Sequence, residues 1–205
     1  MQNSEDVIII TGATGNLGSA TAHAFQVAGQ RTVLVDRSQE GLRETFPGLA
    51  DSSQHFLTSG VDLSEPVSLG KLVVDTLARF GRIDALVHTV GAWRGGKPVH
   101  ETDLADWDFL FNVNLRTTLL CCRAVIPQML RQGRGKIINV ASRDGLAGTA
   151  GCAAYSASKS AVIRLTEALA DEVKLSGINV NCIMPGTIDT PQNRTANPGF
   201  SEPTT

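Results

Sequence analysis

Six short runs rich in β-branched residues recur along this chain: VIII (7–10), TVLV (32–35), HFLTSG (55–60), ALVHTV (85–90), KIINVAS (136–142) and INVNCI (178–183). Each is too short for a helix and apolar enough for a strand buried on both faces. Helical signatures separate them, at 16–28, 38–46, 64–80, about 103–131 and 153–175. The segment Ser64-Glu65-Pro66 has the acid and proline of a first turn, and Gly177 stands where a C-terminal glycine belongs. Such alternation leaves few topologies. It predicts an α/β, doubly wound parallel sheet with helices on both faces and ligands at the carboxyl ends of the strands. A single domain over 1–205 is expected. Its stretch from 187 onward, TIDTPQNRTANPGFSEPTT, reads as loop or disordered tail.

Composition narrows the partners. Eighteen Lys and Arg nearly balance twenty Asp and Glu, for a net charge of -2, which points away from nucleic acid and from a polybasic membrane contact. Cys121, Cys122, Cys152 and Cys182 have no metal-ligand or redox-motif spacing, and a chain of 205 residues does not depend on disulfides, so they read as reduced thiols. The polar start MQNSED and the lack of a long apolar run give no export or membrane signal; a cytoplasmic protein is expected.

TGATGNLG (11–18) follows the first strand and opens the first helix. In that position Gly12 permits a tight turn, Gly15 brings the backbone of Thr14, Gly15, Asn16 and Leu17 close to a pyrophosphate, and Gly18 allows helix and strand to pack, with the helix N-terminus facing the anion. Asp36 ends the second strand about 20 residues on, where a carboxylate accepts from an adenosine ribose and repels a 2'-phosphate. NAD is therefore favoured, while Arg37 keeps NADP open unless it is an ordinary solvated arginine. Asp62 after the third strand either reaches the adenine or caps the next helix.

Tyr155 and Lys159 are four apart on a helix, on one face and roughly 6 Å apart along the axis at ~1.5 Å per residue. An ammonium beside a phenol favours the phenolate, which would make Tyr155 a general acid/base. Ser142 closes a strand at its carboxyl end, where its hydroxyl can hydrogen-bond a substrate oxygen.

The ordered set TGATGNLG, Asp36, Asp62-Leu63, VHTVGA (87–92), FNVNL (111–115), INVAS (138–142), YSASK (155–159) and IMPGTIDT (183–190) resembles the short-chain dehydrogenase/reductase family over residues 7 to about 194. The resemblance implies a Rossmann-like fold and hydride transfer between a nicotinamide and a small carbonyl or alcohol. Tyr155 then moves the proton, Lys159 lowers its pKa and holds the nicotinamide ribose, Ser142 orients the carbonyl and Asn114 supports a proton relay. It implies further cofactor contacts at Leu63, Gly91, Pro185, Gly186, Thr187 and Ile188, and a homodimer or homotetramer through the helices at 103–131 and 153–175.

Three features depart from the family's commonest pattern. The middle glycine stands at Gly15 with Asn16 after it, a spacing shared with nucleotide-sugar-modifying members and with non-catalytic dinucleotide sensors. VHTVG replaces N-N-A-G, matching at Gly91 alone, so the fourth strand must be secured differently. The family's closing helices and strand have no counterpart in PQNRTANPGFSEPTT. A non-catalytic dinucleotide sensor is therefore the alternative function, whereas the 46 residues after Lys159 are too few for the substrate domain of a sugar-modifying enzyme. The loop Trp93-Arg94-Gly95-Gly96 either borders the substrate or is plain surface. His88, His100, Glu101 and Asp103 have no coherent metal spacing, and no metal is expected.

Overall fold

The computed structural model describes residues 6–196. Strands β1 (Val7–Thr11), β2 (Arg31–Asp36), β3 (His55–Ser59), β4 (Ala85–His88), β5 (Gly135–Val140) and β6 (Ile178–Ile183) form one parallel sheet in the order β3-β2-β1-β4-β5-β6. The helices between them are α1 (Asn16–Val27), α2 (Gln39–Thr45), α3 (Pro66–Phe80), α4 (Leu104–Leu110), α5 (Thr117–Gln132) and α6 (Ala153–Val173), with α7 (Pro191–Ala196) after β6. The chain steps outward from β1 to β3 and then returns to β1's other side as β4. Sheet order thus reverses between β1 and β4, and a crevice opens at their carboxyl ends.

The alternating side chains of each strand feed two cores. Val7, Ile9, Val33, Val35, Leu86 and Ile137 pack with Leu69, Leu72, Cys122, Val125 and Met129 of α3 and α5. On the opposite face Ile8, Ile10, Leu34 and Val87 pack with Ala22, Leu42 and Phe46. Two-sided burial holds for β1 and β4 throughout and for the middle of β2, but not elsewhere. The edge strand β3 is half-buried along its length, and β5 and β6 expose Lys136, Asn179 and Asn181. The helices in contact with β5 and β6 are α5 and α6, which lie on the first face, so every second residue of these strands meets water.

The helix expected over 103–131 is three pieces, because the hydrogen-bond ladder widens to a π-helical turn over Phe111–Arg116. The whole run Leu104–Gln132 has the length and hydropathy of a membrane span, contrary to the sequence reading. Here, however, Leu110, Cys121, Cys122, Val125 and Met129 are buried in the protein. The tail read as loop also contains structure: Thr190 Oγ1 accepts the N–H of Asn193 at 3.1 Å, starting α7, and Arg194 grips Asp189 with two bonds of 2.5 Å. The final residues 197–205 lie outside the described residues.

Candidate active site

The glycine-rich turn is docked onto the end of β2. Gly12 N–H and Ala13 N–H both donate to the Val35 carbonyl, at 2.9 and 3.1 Å, and Gly15 N–H donates to Gly12 O at 3.0 Å. Gly12 adopts φ 71°, and a Cβ on Gly18 would stand 2.0 Å from Gly12 O, so both positions require glycine. Because the N–H groups of Gly12 and Gly15 are spent inside the turn, these glycines shape the site. The first bond of α1 runs from Ser19 N–H to Gly15 O. The N–H groups of Asn16, Leu17 and Gly18 remain without a protein acceptor among the described residues and point out of a helix N-terminus, as a pyrophosphate requires.

Asp36 lies across the cleft. Its Oδ2 accepts from Thr14 twice, from the N–H at 3.1 Å and the hydroxyl at 2.7 Å, while Oδ1 accepts the Arg37 N–H at 2.7 Å and the Ser38 N–H at 3.5 Å. Burial opposes ionisation, but these bonds outweigh it and hold the carboxyl below its usual range. Asp62 Oδ1 accepts the N–H and hydroxyl of Ser64, at 2.8 and 2.6 Å, so it shapes the turn ahead of α3 whether or not it meets an adenine. One cleft is lined by the Gly12–Gly18 turn, Asp36, Arg37, Asp62, Leu63 and Gly91. Val35, Val90, Phe109, Asn112, Val113 and Thr117, not foreseen from the sequence, are also among its walls.

At the other end of this cleft, Gly91 lets two side chains reach the strand end. A Cβ there would meet Asn114 Oδ1 at 3.0 Å and Lys159 Nζ at 3.1 Å. The Asn114 amide is fully engaged: Oδ1 accepts the Ala92 N–H at 2.9 Å, and Nδ2 donates to Ala92 O at 3.1 Å and to Ser158 Oγ at 3.0 Å. Its carbonyl, inside the π turn, accepts the Thr118 hydroxyl at 2.6 Å. Buried Ser158, in turn, donates to Tyr155 O at 2.8 Å. It stands one turn from Tyr155 in YSASK, which was the available signal for it.

Ser142 is 6% exposed. Its Oγ accepts the Asp144 N–H at 3.2 Å, and Ser142 is the side chain that favours ionisation of the Tyr155 phenol. Burial raises the Tyr155 pKa above its ordinary value; Ser142 acts the other way, and the Asp144 charge raises it further. Lowering by Lys159 is not found. The ammonium is turned to the Val140 carbonyl at 2.8 Å, and burial brings its own pKa down to about 8. Lys159 shares the helix face of Tyr155, as the spacing predicted, but its long side chain crosses to the end of β5.

Substitutes for the family's asparagines are visible in β4. Thr89 Oγ1 donates to Thr11 O at 2.7 Å. Thr117 Oγ1 donates its proton to Val113 O at 2.6 Å, so it can only accept from His88 Nε2 at 3.1 Å. His88 Nδ1 is then the acceptor for the Thr11 hydroxyl at 2.8 Å. The ring is a neutral link between β1 and the π turn, and burial, with the Lys159 charge adding to it, depresses its pKa to about 3.

Pro185, Gly186, Thr187 and Ile188 stand outside the lining of the nucleotide cleft. Pro185 O accepts the Arg143 N–H at 3.1 Å, placing this segment against Ser142's neighbour, and Asn16 Nδ2 reaches Gln192 Oε1 of α7 at 3.1 Å. A smaller chamber borders the start of α6, walled by Trp93, Gly95, Leu110, Cys152 and Ala154. Its loops are tied together, Gly96 N–H donating to Gly151 O at 2.8 Å. Arg94 is held by Asp106 at 2.6 Å and lies 3.6 Å over the Phe109 ring. The Trp93–Gly96 loop is thus the wall of a cavity.

Comparison with known proteins matches residues 6–199 to the family model described as short chain dehydrogenase. The (2S)-[(R)-hydroxy(phenyl)methyl]succinyl-CoA dehydrogenase subunit BbsD of Thauera aromatica is 38% identical over 185 residues, 90% of this chain and 74% of that protein. Among solved structures, ElxO with NADP bound superposes with a TM-score of 0.88 at 27% identity, over 97% of this chain and 81% of that one. NAD+-bound xylitol dehydrogenase gives 0.87 at 29% identity, over 94% and 74%.

Proposed function

Given that this chain belongs to the short-chain dehydrogenase/reductase family and is an NAD(P)-dependent oxidoreductase, we propose that it transfers hydride to or from a small carbonyl or hydroxy compound, with NAD as its preferred nucleotide. What supports this reading is the buried Lys159 ammonium, held on the Val140 carbonyl at 2.8 Å and against Gly91 of the nucleotide cleft, with buried Ser142 just beyond the same strand end acting on the Tyr155 phenol. The N–H groups of Asn16, Leu17 and Gly18 hold the pyrophosphate and Asp36 the adenosine ribose. Thr187 and Ile188 then meet the carboxamide at the nicotinamide end.

The nicotinamide supplies or accepts the hydride. This chain's own residues handle the oxygen. In reduction the Ser142 hydroxyl donates a hydrogen bond to the carbonyl, and Tyr155, kept protonated by burial, passes its proton to the oxygen as negative charge grows there. Hydride on carbon and this proton on oxygen complete the alcohol; oxidation reverses both transfers. Lys159 holds a ribose hydroxyl at Gly91, and with a pKa of about 8 it exchanges protons near neutrality. Asn114, whose amide lies against the same Gly91, supports that exchange. Asp36, held ionised at the ribose end, disfavours a 2'-phosphate. The copies assemble as a dimer or tetramer through α5 and α6.

Consumption of reduced nicotinamide over a panel of carbonyl compounds tests the reading. The Tyr155→Phe variant is expected to lose about 10³-fold in turnover while binding NADH like the wild type. Turnover that survives this substitution overturns the assignment.

A further inference from the structure

Thr14 is the least conspicuous member of TGATGNLG, yet it makes the strongest contact of the turn with the opposite wall of the cleft. Its N–H and its hydroxyl converge on one oxygen of Asp36, at 3.1 and 2.7 Å. The other oxygen faces the N–H groups of Arg37 and Ser38 at 2.7 and 3.5 Å. A carboxylate offers about four acceptor positions. Thr14 fills two and Arg37 a third, and the long Ser38 contact leaves the fourth open to a ligand. Oδ1 is therefore the oxygen that can take a ribose hydroxyl, and Thr14 is what turns it there. Beside it, Arg37 lines the same cleft with no hydrogen-bond acceptor for its guanidinium among the described residues.

From this geometry we propose that Thr14 is a positioning residue for nucleotide selection: its hydroxyl fixes the Asp36 carboxylate facing the ribose, so that a 2'-hydroxyl is accepted and a 2'-phosphate is turned away from Arg37. The inference rests on the nicotinamide-cofactor reading above. It reaches beyond Asp36 itself, because without the Thr14 hydroxyl the carboxylate loses its shortest hold on the turn and is aimed less firmly, and Arg37, whose charge otherwise acts on Asp62, can meet a phosphate. Thr14 is half-buried on a turn, so shortening it leaves the cores untouched.

The test is direct binding of NADH and NADPH, read from nucleotide fluorescence, to the full chain as wild type, Thr14→Val, Thr14→Ala and Thr14→Ser. Removing one hydrogen bond to a charged group should weaken NADH binding about tenfold in the valine and alanine variants. NADPH binding should hold or tighten, and the serine variant should keep the wild-type ratio. Equal weakening of both nucleotides would mean that Thr14 only stabilises the turn, and it overturns the inference, as does a serine variant that behaves like valine. A wild type that binds neither nucleotide, or that prefers NADPH, instead overturns the cofactor reading.

Discussion

The two ends of the cleft solve opposite problems. At the glycine-rich end the polar groups that shape the turn are paired within the protein: Val35 O takes two N–H groups, Asp36 takes the N–H and hydroxyl of Thr14 and the N–H of Arg37, with a longer contact to Ser38, and the carboxyl becomes easier to ionise. At the other end charge and burial are in conflict. Lys159 has one carbonyl for its ammonium, Tyr155 is pushed up, and His88 behind them is pushed down. One end has its shape fixed by the protein, with the N–H groups of Asn16, Leu17 and Gly18 left over for a ligand. The other is held in a state that a bound ligand can relieve, the usual condition of a site built for proton transfer rather than for stability.

The sharpest way to break this contrast is at Gly18. Because a Cβ would stand 2.0 Å from a main-chain oxygen, Gly18→Ala must distort the glycine-rich end. We expect a loss of about 3 kcal/mol of stability in urea unfolding together with loss of NADH binding. Unchanged stability would show the turn to be loose. Next is His88, which links the two ends. Its folded pKa of about 3 lies below the unfolded 6.5, so the unfolded chain takes the proton first as pH falls. Its contribution to stability is thus lost from about pH 6.5 downward, ~2 kcal/mol between pH 7 and 5. His88→Gln should flatten that part of the profile relative to wild type, and an identical pH slope would count against the neutral link. Smallest in stability is Lys159→Met. Removing a buried, poorly paired ammonium should raise stability by about 1 kcal/mol while abolishing turnover. A less stable variant would show that the Val140 bond more than compensates burial.

The same contrast explains what could be read in advance. Strand and helix spacing gave the parallel sheet, and contiguous TGATGNLG announced a turn in which Gly12 is required by its φ and Gly18 by the Gly12 carbonyl six residues back. Tyr155 and Lys159 were also legible as neighbours on a helix, but not the destination of the lysine. Its ammonium reaches Val140 on β5, a contact 19 residues away that no local pattern encodes. The π turn around Asn114 left no mark on the helical periodicity of 103–131, and the exposure of Lys136, Asn179 and Asn181 depended on which face α5 and α6 cover.

By itself, then, the sequence determined the order of elements, the positions that must be glycine, and which side chains stand at strand ends, because each follows from backbone geometry over a few residues. Tertiary structure alone decided which hydrogen-bond partner each polar group keeps. It put Thr14 on Asp36, His88 between two threonines and Lys159 on the Val140 carbonyl, since burial and partner choice are set by elements far apart in the chain.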